Sequence, residues 1–346
     1  MSVVIRPVQN SDAPALYAMS SDERVAYPLL LSPALELSEI EEQVQKSRPG
    51  QHRLVAEKEG QVAGYGSLQQ FQNPRLAHTG QIELYVQPAL WEQGIGSTLM
   101  VHLLDLADNW LNLQRLEVAI LADNEPALQL CQKFGFQKEG LRRAVAFGRG
   151  RLVDDFFLAR LRQPPSQLPP LADQSRPRPA VRGGNWVVRP PRPGDIPALN
   201  GMFRDPLVAR TTLQMPSLEM SKTLERYKSH SPGIHRLVAA DGEQAIGMIS
   251  LHGSANPRLA HAAGLGMMVH PAYWGRGVGT TLMIKILDLA DNWLNLKRVD
   301  LDVNSDNPPA IGLYEKFGFV IEGQKHYHTY GSGRWAHSYF MARIQN

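Results

Sequence analysis

The sequence predicts two α/β domains in tandem. A chain of 346 residues is longer than one hydrophobic core usually supports. The segment LDLADNWLNL occurs at 104–113 and again, unchanged, at 287–296, which gives an offset of 287 − 104 = 183. The same offset aligns 73–140 with 256–323 at 37 of 68 identical positions, and this period is far too long for a solenoid repeat. We therefore interpret the chain as a duplicated domain.

The segment between the two copies, 162–185, contains six prolines and four arginines and has neither helical nor strand periodicity. This composition is typical of a semi-rigid linker. Docking of the arginines on an acidic partner is the alternative, which four dispersed charges favour less. We predict a first domain over 1–162, a linker over 163–184 and a second domain over 185–346.

The composition argues against several classes of function. The net charge is only +3, and no dense cluster of Lys and Arg interleaved with aromatic residues indicates nucleic-acid binding. The first residues lack the pattern of a signal peptide, and no apolar run reaches the length of a membrane-spanning helix. Cys131 is the only cysteine, which excludes an internal disulfide and a cysteine-based zinc cluster. We expect a cytoplasmic, bacterial-type enzyme that binds neither nucleic acid nor membrane.

Within the second copy, apolar periodicity and turn residues predict the elements in order. A helix begins at Asp195, a second ends near Trp293, and a third is capped by Asp306 or Asn307. The predicted strands are 185–190, a hairpin of 236–240 and 245–251, then 263–269, 298–303, 317–323 and 336–344.

The passage MMVHPAYWGRGVGTTLM (267–283) joins a strand to a helix through a loop with three glycines. Unpaired N–H groups at a helix start, together with the helix dipole, bind phosphate groups, and glycine lets the ligand approach the backbone. Arg276 can add a charge-assisted contact to a pyrophosphate. The loop is neither a dinucleotide-binding G-x-G-x-x-G nor a P-loop, and alone it is equally typical of a tight turn.

A second motif, NPPAIGLYEKFGF (307–319), places an Asn at a helix start and a Tyr seven residues later. Together with the glycine loop it resembles the GNAT superfamily of acyl-CoA N-acyltransferases, over nearly the whole of both copies. The segments TTLQMP (211–216), PGIHRLVA (232–239) and YFMAR (339–343) make the second copy similar to bacterial L-amino-acid N-acetyltransferases that act on phenylalanine and methionine. The departure is Trp274, where the superfamily usually has Gln or Arg.

The resemblance implies an α+β fold, in which each domain is a mixed, mostly antiparallel sheet flanked by helices. It also implies direct transfer of an acetyl group from acetyl-CoA, the cosubstrate, to a primary amine of a small molecule, without a metal. A strand N–H near Met268 or Val269 then stabilises the thioester oxygen, and Tyr314 acts as general acid towards the departing thiolate. The residues that the resemblance implies for acetyl-CoA binding are Met267, Met268, Val269, Gly275, Arg276, Gly277, Val278, Gly279, Thr280, Asn307 and Tyr314.

The acceptor side is less sharply defined by the sequence. An acceptor ammonium must lose a proton before the nitrogen can attack, and the candidate bases Asp302, His252 and His270 are equally typical of structural positions. The carboxylate of a free amino acid needs a cation, and methionines such as Met215 and Met220 form adaptable apolar walls. The residues that we assign to acceptor binding are Arg210, Thr212, Gln214, Met215 and Arg236.

The first copy departs from the second at positions that matter for this chemistry. Glu92 stands where the second copy has Gly275, and Cys131 stands where it has Tyr314, since 131 + 183 = 314. A nucleophile, a substitute acid and a buried remnant are the three interpretations of Cys131, and the absence of a neighbouring histidine favours the remnant. Glu83, in place of Gly266, leaves a different activity open. If the first copy binds the cofactor, the residues are Leu84, Tyr85, Val86, Gly94, Ile95, Gly96, Ser97 and Asn124.

We therefore predict that the second domain is catalytic and that the first is degenerate, with a free L-amino acid as the acceptor. Two alternatives stay open at this point. One is a protein acetyltransferase that acts on N-terminal or lysine amines, and the other is a non-catalytic acyl-CoA sensor. The duplication is also compatible with an internal pseudo-dimer or a homodimer.

Overall fold

The computed structural model describes residues 3–32, 34–162, 186–228 and 233–345. Contacts divide the described residues into two compact units, one for each copy; the first holds most of 3–162, and the second holds 144–147 and the residues from 186 onwards. The predicted linker lies outside the described residues, so its boundaries stay a prediction. Within the described ranges, no helix is both long enough and apolar enough to cross a membrane.

The first unit contains one sheet with strand order β1-β2-β3-β4-β5-β7-β6. Strands β4 and β5 run parallel, whereas β1 to β4 form an antiparallel meander and β5 pairs antiparallel with β7. The strands are β1 (Val4–Pro7), β2 (Gln51–Lys58), β3 (Gln61–Gln70), β4 (Thr79–Val86), β5 (Arg115–Leu121), β6 (Gln137–Gly148) and β7 (Arg151–Leu161). The helices are α1 (Ala13–Ser20), α2 (Glu23–Ala26), α3 (Leu37–Gln45), α4 (Ile95–Asp105) and α5 (Glu125–Lys133).

The second unit repeats this order as β8-β9-β10-β11-β12-β14-β13, again with a single parallel pair, β11 and β12, among the pairings described. The mixed, mostly antiparallel sheet that the resemblance implies is confirmed. The strands are β8 (Val187–Arg189), β9 (Ile234–Asp241), β10 (Gln244–Gly253), β11 (Ala262–Val269), β12 (Arg298–Asn304), β13 (Val320–Gly331) and β14 (Arg334–Ile344). The helices are α6 (Ile196–Arg204), α7 (Pro206–Thr211), α8 (Met220–Lys228), α9 (Val278–Asn292) and α10 (Pro308–Lys316).

The parallel pair in the second unit is short. Strand β11 pairs with β12 over three positions only, from Ala262 opposite Arg298 to Gly264 opposite Asp300. Beyond Gly264 the two strands no longer pair, so the edge of β11 that faces β12 is open over 265–269. Backbone N–H and C=O groups on an open edge are available to a ligand that lies as an additional strand.

Helix α9 covers one face of this sheet and is the predicted helix that follows the glycine loop. Its residues at helical spacing, Leu282, Ile286 and Ala290, are completely buried. A Cβ on Gly247 of β10 would lie 3.2 Å from side-chain atoms of Val278 and Leu282, so the glycine allows α9 to sit close to the sheet. Because α9 is held by this packing, its N-terminus has a fixed position beside the open edge of β11.

Two details of the second unit differ from the sequence prediction. Helix α6 begins after a 3-10 turn at Pro193–Asp195, and the Asp195 side chain does not cap it. Its carboxylate instead accepts two hydrogen bonds from Arg189, at 2.7 and 2.8 Å, and one from the N–H of Arg192 at 2.6 Å. Helices α7 and α8 were not predicted from the sequence. Val208 of α7 packs with Val238 and Met268 of the sheet, and α8 packs on α6.

Candidate active site

A cleft of about 1650 Å³ lies in the second unit, where β11 and β12 diverge. Its lining includes β11, the glycine loop and the start of α9 on one side, and β12 and α10 on the other. Residues of α6, α7 and α8 close a third side. This volume exceeds the roughly 300–1,000 Å³ of ordinary small-ligand pockets, so the cleft has room for a nucleotide-sized ligand and a second small molecule.

The glycine loop is arranged to receive a phosphate group. Helix α9 has Gly277 as its N-cap, with φ of +93°, and Gly275 has φ of +74°. The first helical hydrogen bond described is from the N–H of Thr281 to the carbonyl of Gly277, at 3.0 Å, so the amides of 278–280 precede the ladder. A Cβ on Gly275 or Gly277 would have no neighbouring atom within 4 Å, so both glycines leave open surface in front of those amides. These residues fit the pyrophosphate of a CoA-type ligand.

Trp274 holds this loop against the end of β11. Its indole Nε1 donates a hydrogen bond of 2.7 Å to the carbonyl of Val269. In the first copy Trp91 donates in the same way to Val86, at 2.8 Å. Sequence reasoning treated Trp274 only as a departure from the superfamily pattern. The signal for its role was the presence of tryptophan at the same position in both copies.

Arg276 does not lie where the sequence analysis expected it. Its guanidinium carbon is 5.0 Å from the centre of the Tyr273 ring, and Arg276 is not part of the cleft lining described above. Cation–π contact with Tyr273 holds the side chain against that ring. The loop residues that do line the cleft are Gly275, Gly277, Val278, Gly279 and Thr280.

The open edge of β11 distinguishes the two candidate N–H donors, Met268 and Val269. The N–H of His270 donates to the carbonyl of Ile246 in β10, at 2.8 Å. Because N–H groups alternate from edge to edge along a strand, the N–H of Met268 also points to β10, and the N–H of Val269 points to the cleft. Of the two candidates, Val269 therefore has the geometry to donate to a ligand in the cleft.

Tyr314 lies on α10 and lines the cleft, although only 7% of its surface is exposed. Burial raises the pKa of Tyr314 to about 12, so the phenol keeps its proton throughout the neutral range. Within the described part of the chain the hydroxyl makes no hydrogen bond, so its proton is not committed elsewhere. Asn307 is the N-cap of α10, and its side chain lines the cleft without capping a backbone N–H.

The acceptor side of the cleft contains four of the five residues that the sequence analysis assigned to it: Arg210, Thr212, Gln214 and Arg236. Met215 is not part of this lining, and neither is Met220, which begins α8 with 46% of its surface exposed. The expectation that these two methionines form the apolar wall is wrong. The methionines that line the cleft come instead from the sheet, at Met248 in β10 and at Met267 and Met268 in β11. Leu199, Phe203 and Val208 add to the same lining.

The two candidate cations have different surroundings. Arg210 lies 3.4 Å from the carboxylate of Asp306, which also pairs with Arg334, so Arg210 already has an anion beside it. Arg236 lies on β9 directly opposite Ser250 of β10. Both are on the face of the sheet that bears Met248 and Met268, which we call the acceptor wall. Burial lowers the pKa of Arg236, an effect that an anionic ligand beside it would oppose.

The three candidate bases differ in their position relative to the cleft and in their partners. His270 does not line the cleft, and its Nδ1 accepts from the N–H of Ala272 at 3.2 Å, as a turn-stabilising side chain does. Asp302 lines the cleft but forms an ion pair of 2.9 Å with Lys325. His252 lines the cleft and has Ser250 Oγ 2.8 Å from its Nε2. Burial, and then the nearby charge of Arg236, lower the pKa of His252, so its imidazole is neutral at pH 7 and able to accept a proton.

The glycine loop of the first copy is less suited to phosphate. Helix α4 has Gly94 as its N-cap with φ of +79°, but Glu92 adopts φ of +64° where the second copy has a glycine. Lys133 Nζ lies 3.2 Å from Ser97 Oγ in the first turn of α4. The side chain of Asn124 accepts from the N–H of Ala127 at 3.4 Å, so it caps α5. The predicted cofactor residues of this copy thus share their loop with an acidic side chain.

Cys131 is a buried free cysteine with 4% of its surface exposed. Burial raises the pKa of its thiol to about 12, so the reactive thiolate is absent at neutral pH. The structure supports the interpretation of Cys131 as a packing residue. Glu83 lies opposite Ser67 in the β3–β4 ladder, on the face that bears the stacked rings of Tyr65 and Tyr85. Its side chain reaches solvent, and partial desolvation by its neighbours raises the pKa of its carboxyl.

The model of the acetyltransferase (GNAT) family matches residues 16–136 and 204–319, which together are more than half of the chain. The chain belongs to the GNAT family. It is an acetyl-CoA-dependent N-acyltransferase with two GNAT domains, as the resemblance implied. The two separate matches confirm that both copies have the same origin.

Among relatives, the L-amino acid N-acetyltransferase AaaT of Escherichia coli is 34% identical over 159 residues, which cover 46% of this chain and 98% of AaaT. The spermidine N(1)-acetyltransferase of Vibrio cholerae is 27% identical over 148 residues, covering 41% of this chain and 83% of that enzyme. A solved ribosomal-protein-alanine N-acetyltransferase from Brucella melitensis aligns with 46% of this chain and 99% of its own, at 29% identity and a TM-score of 0.42. The relatives from Escherichia coli and Vibrio cholerae are therefore named for different amines.

Proposed function

We propose that the second GNAT domain acetylates the α-amino group of free L-amino acids with apolar side chains. One observation carries this proposal. A single cleft contains the phosphate-binding amides at the start of α9, the uncommitted hydroxyl of Tyr314, and an acceptor wall that is both apolar and cationic. The likeness to an L-amino acid N-acetyltransferase supports the same acceptor. Arginines on the acceptor wall argue against a polycation such as spermidine, because like charges repel.

Each step of the reaction has a residue in the cleft. The chemistry supplied by bound acetyl-CoA is an activated thioester carbonyl. The amides of 278–280 bind its pyrophosphate, and the N–H of Val269 donates to the carbonyl oxygen as negative charge develops there. Tyr314 gives its Oη proton to the departing sulfur. Because the phenol pKa of about 12 exceeds that of an ordinary thiol, Tyr314 recovers a proton readily after each turnover.

The acceptor is held at its carboxylate and at its side chain. We assign its carboxylate to Arg236, because Arg210 already has Asp306 beside it. Met248 and Met268 contact the apolar side chain, since both line the same wall and methionine adapts to side chains of different shape. Peptide and lysine acceptors lack a free carboxylate next to the reacting amine, so Arg236 discriminates against them.

The first GNAT domain is proposed to have a structural or regulatory role. Glu92 places a carboxylate in the glycine loop of the first domain, and the equivalent loop of the second domain is the one that we assign to the pyrophosphate. A negative charge at this position opposes binding of an anion. Cys131 has too short a side chain to replace Tyr314, and its raised pKa removes the thiolate that a nucleophile would need. Glu83 stays a candidate base for a separate activity, which the same assay tests.

The test is thiol release from acetyl-CoA by the full chain, measured with a panel of amines. We expect turnover with free methionine, phenylalanine and leucine, and little with spermidine or with a lysine-containing peptide. Arg236→Gln should raise KM for a free amino acid about tenfold or more, yet leave KM for the corresponding amino-acid amide nearly unchanged. Preference for spermidine or the peptide would overturn the assignment. Binding of CoA without turnover of any amine would favour the sensor.

A further inference from the structure

On the acceptor side of the sheet, β11 has two glycines at neighbouring positions of one face, and we call the space above them the channel. Gly264 and Gly266 of β11 lie between β10 and β12 on this face, and Gly266 stands opposite Ser250. A Cβ on Gly266 would lie 3.5 Å from Ser250 Oγ, and one on Gly264 would lie 3.9 Å from Asp300 Oδ1. The first copy has Gln81 and Glu83 at these positions, so only the second copy has a floor without side chains here.

Ser250 and His252 form the β10 side of this channel. They are two residues apart on one strand, so their side chains share a face, and Ser250 Oγ lies 2.8 Å from His252 Nε2. Ser250 is buried, with 5% of its surface exposed, whereas the imidazole of His252 reaches solvent. The pair therefore connects a buried hydroxyl in the cleft to a ring that can exchange a proton with water.

We propose that Ser250 and His252 form the proton-accepting pair of the acceptor site, which conducts the proton of the acceptor ammonium to solvent. The inference rests on the proposed N-acetyltransfer in the second domain. Gly266 and Val269 are three residues apart, or about 10 Å along a strand, so a chain of two or three water molecules above the glycines spans the path from the nitrogen to Ser250 Oγ. Both residues are positioning residues for this proton.

The protons balance in this scheme. The ammonium N–H bond breaks, its proton passes through water to Ser250 Oγ, and the serine hydroxyl proton moves to His252 Nε2. The neutral nitrogen then forms the N–C bond as the C–S bond breaks, and Tyr314 gives the sulfur a proton. The nitrogen loses a second proton, which restores the phenol. One proton per turnover therefore leaves to solvent through His252.

The charges around His252 favour a neutral imidazole at rest. Arg236 faces it from β9, and β11 contributes only glycines beside it. From β12, Asp300 and Asp302 face the channel, each paired with a cation, Arg298 at 3.0 Å and Lys325 at 2.9 Å. From α8, Arg226 lines the cleft and donates to Gln214 at 2.7 Å. Burial, and then the charge of Arg236, lower the pKa of His252, which disfavours an imidazolium that persists between turnovers.

The experiment compares kcat/KM of the wild-type chain with His252→Gln and Ser250→Ala at two pH values, using an amine that the wild type acetylates. At about pH 7 the acceptor is almost entirely ammonium, and we expect losses of about 10²-fold for His252→Gln and smaller losses for Ser250→Ala. At about pH 9.5 much of the acceptor is already neutral amine, and both losses should shrink to within about threefold. Gln69→Ala, at the matching position of the first copy, is the control that should change neither value.

The outcomes separate a proton path from a merely structural role. Equal losses at both pH values, or no loss at about pH 7, would overturn the inference. Far-ultraviolet circular dichroism and thermal midpoints of the variants show whether a uniform loss comes from misfolding. If the wild type acetylates a different amine from the panel, only the assignment of the acceptor falls, and the same comparison runs with that amine. If the wild type acetylates no amine at all, the proposed function fails, and this inference fails with it.

Discussion

Cys131 and Tyr314 occupy the same position of the same helix in the two copies, and burial raises the pKa of each to about 12. The shared environment has opposite consequences for the two groups. A phenol with a high pKa keeps the proton that a general acid must give, whereas a thiol with a high pKa loses the thiolate that makes cysteine reactive. The same burial therefore suits Tyr314 to catalysis and makes Cys131 inert.

The first prediction is a difference in turnover between two substitutions at this shared position. Tyr314→Phe removes the hydroxyl and keeps the ring against Phe319, whose centre lies 5.9 Å away, so folding should be unaffected. We expect kcat to fall by about 10²-fold or more, because the substitution removes the hydroxyl that we assign as proton donor to the departing sulfur. Cys131→Ala should leave kcat within about twofold. Steady-state thiol release measures both, and equal losses would contradict a catalytic second domain beside a degenerate first one.

The second prediction concerns the thiol of Cys131. Since the side chain is buried and fully protonated at neutral pH, a thiol reagent should not modify native protein and should modify one thiol after unfolding. The folded pKa is raised above the unfolded value, so this group contributes most stability below about pH 9 and loses it as pH rises towards 12. The stability difference between wild type and Cys131→Ala should therefore shrink above about pH 9.

Urea unfolding of both proteins from about pH 7 to pH 10.5 measures that difference. At pH 7 we expect Cys131→Ala to be less stable by about 1 to 2 kcal/mol, since the change leaves a small cavity in the core. A thiol that reacts in the native state, or a difference that grows with pH, would show that Cys131 is accessible or ionised. Tyr314→Phe should show no such pH trend near neutrality.

The strands of the sheet and helix α9 could be predicted from the sequence, because hairpin turns and helical spacing depend directly on local structure. The equivalence of Cys131 and Tyr314 could also be predicted, because the offset of 183 holds without a gap. Sequence reasoning missed the source of the acceptor wall, since Met248 and Met268 are separated by 20 residues and meet only through the register of β10 and β11. The stacking of Arg276 on Tyr273 was missed for the same reason, because side-chain direction in a loop depends on backbone angles that the sequence does not show.

The third prediction uses Glu92 and Gly275, which hold equivalent positions with positive φ values of 64° and 74°. Glu92→Gly should stabilise the chain by about 0.5 to 1 kcal/mol, because glycine adopts this region without strain. Gly275→Glu should fold, since Glu92 shows that the loop tolerates glutamate. Its carboxylate should raise KM for acetyl-CoA about tenfold or more by repelling the pyrophosphate.

Thermal unfolding measures the first effect, and initial rates over a range of acetyl-CoA concentrations measure the second. Gly275→Gln is the matched control, because it keeps the size of the side chain and removes the charge. Similar KM values for Gly275→Glu and Gly275→Gln would attribute the effect to bulk rather than to charge. An unchanged KM in both would remove the loop from the cofactor site.

The fourth prediction tests the indole hydrogen bond that ties the glycine loop to β11. Trp274→Phe removes the donor to the Val269 carbonyl and keeps most of the apolar contact, so the chain should lose about 1 kcal/mol of stability. The loop then holds its amides less firmly, and KM for acetyl-CoA should rise several-fold while KM for the acceptor stays nearly constant.

Trp91→Phe is the matched control in the first copy, where the bond to Val86 has nearly the same length. It should cost similar stability and leave both KM values unchanged. A rise in KM for acetyl-CoA in Trp91→Phe would show that the first domain takes part in cofactor binding.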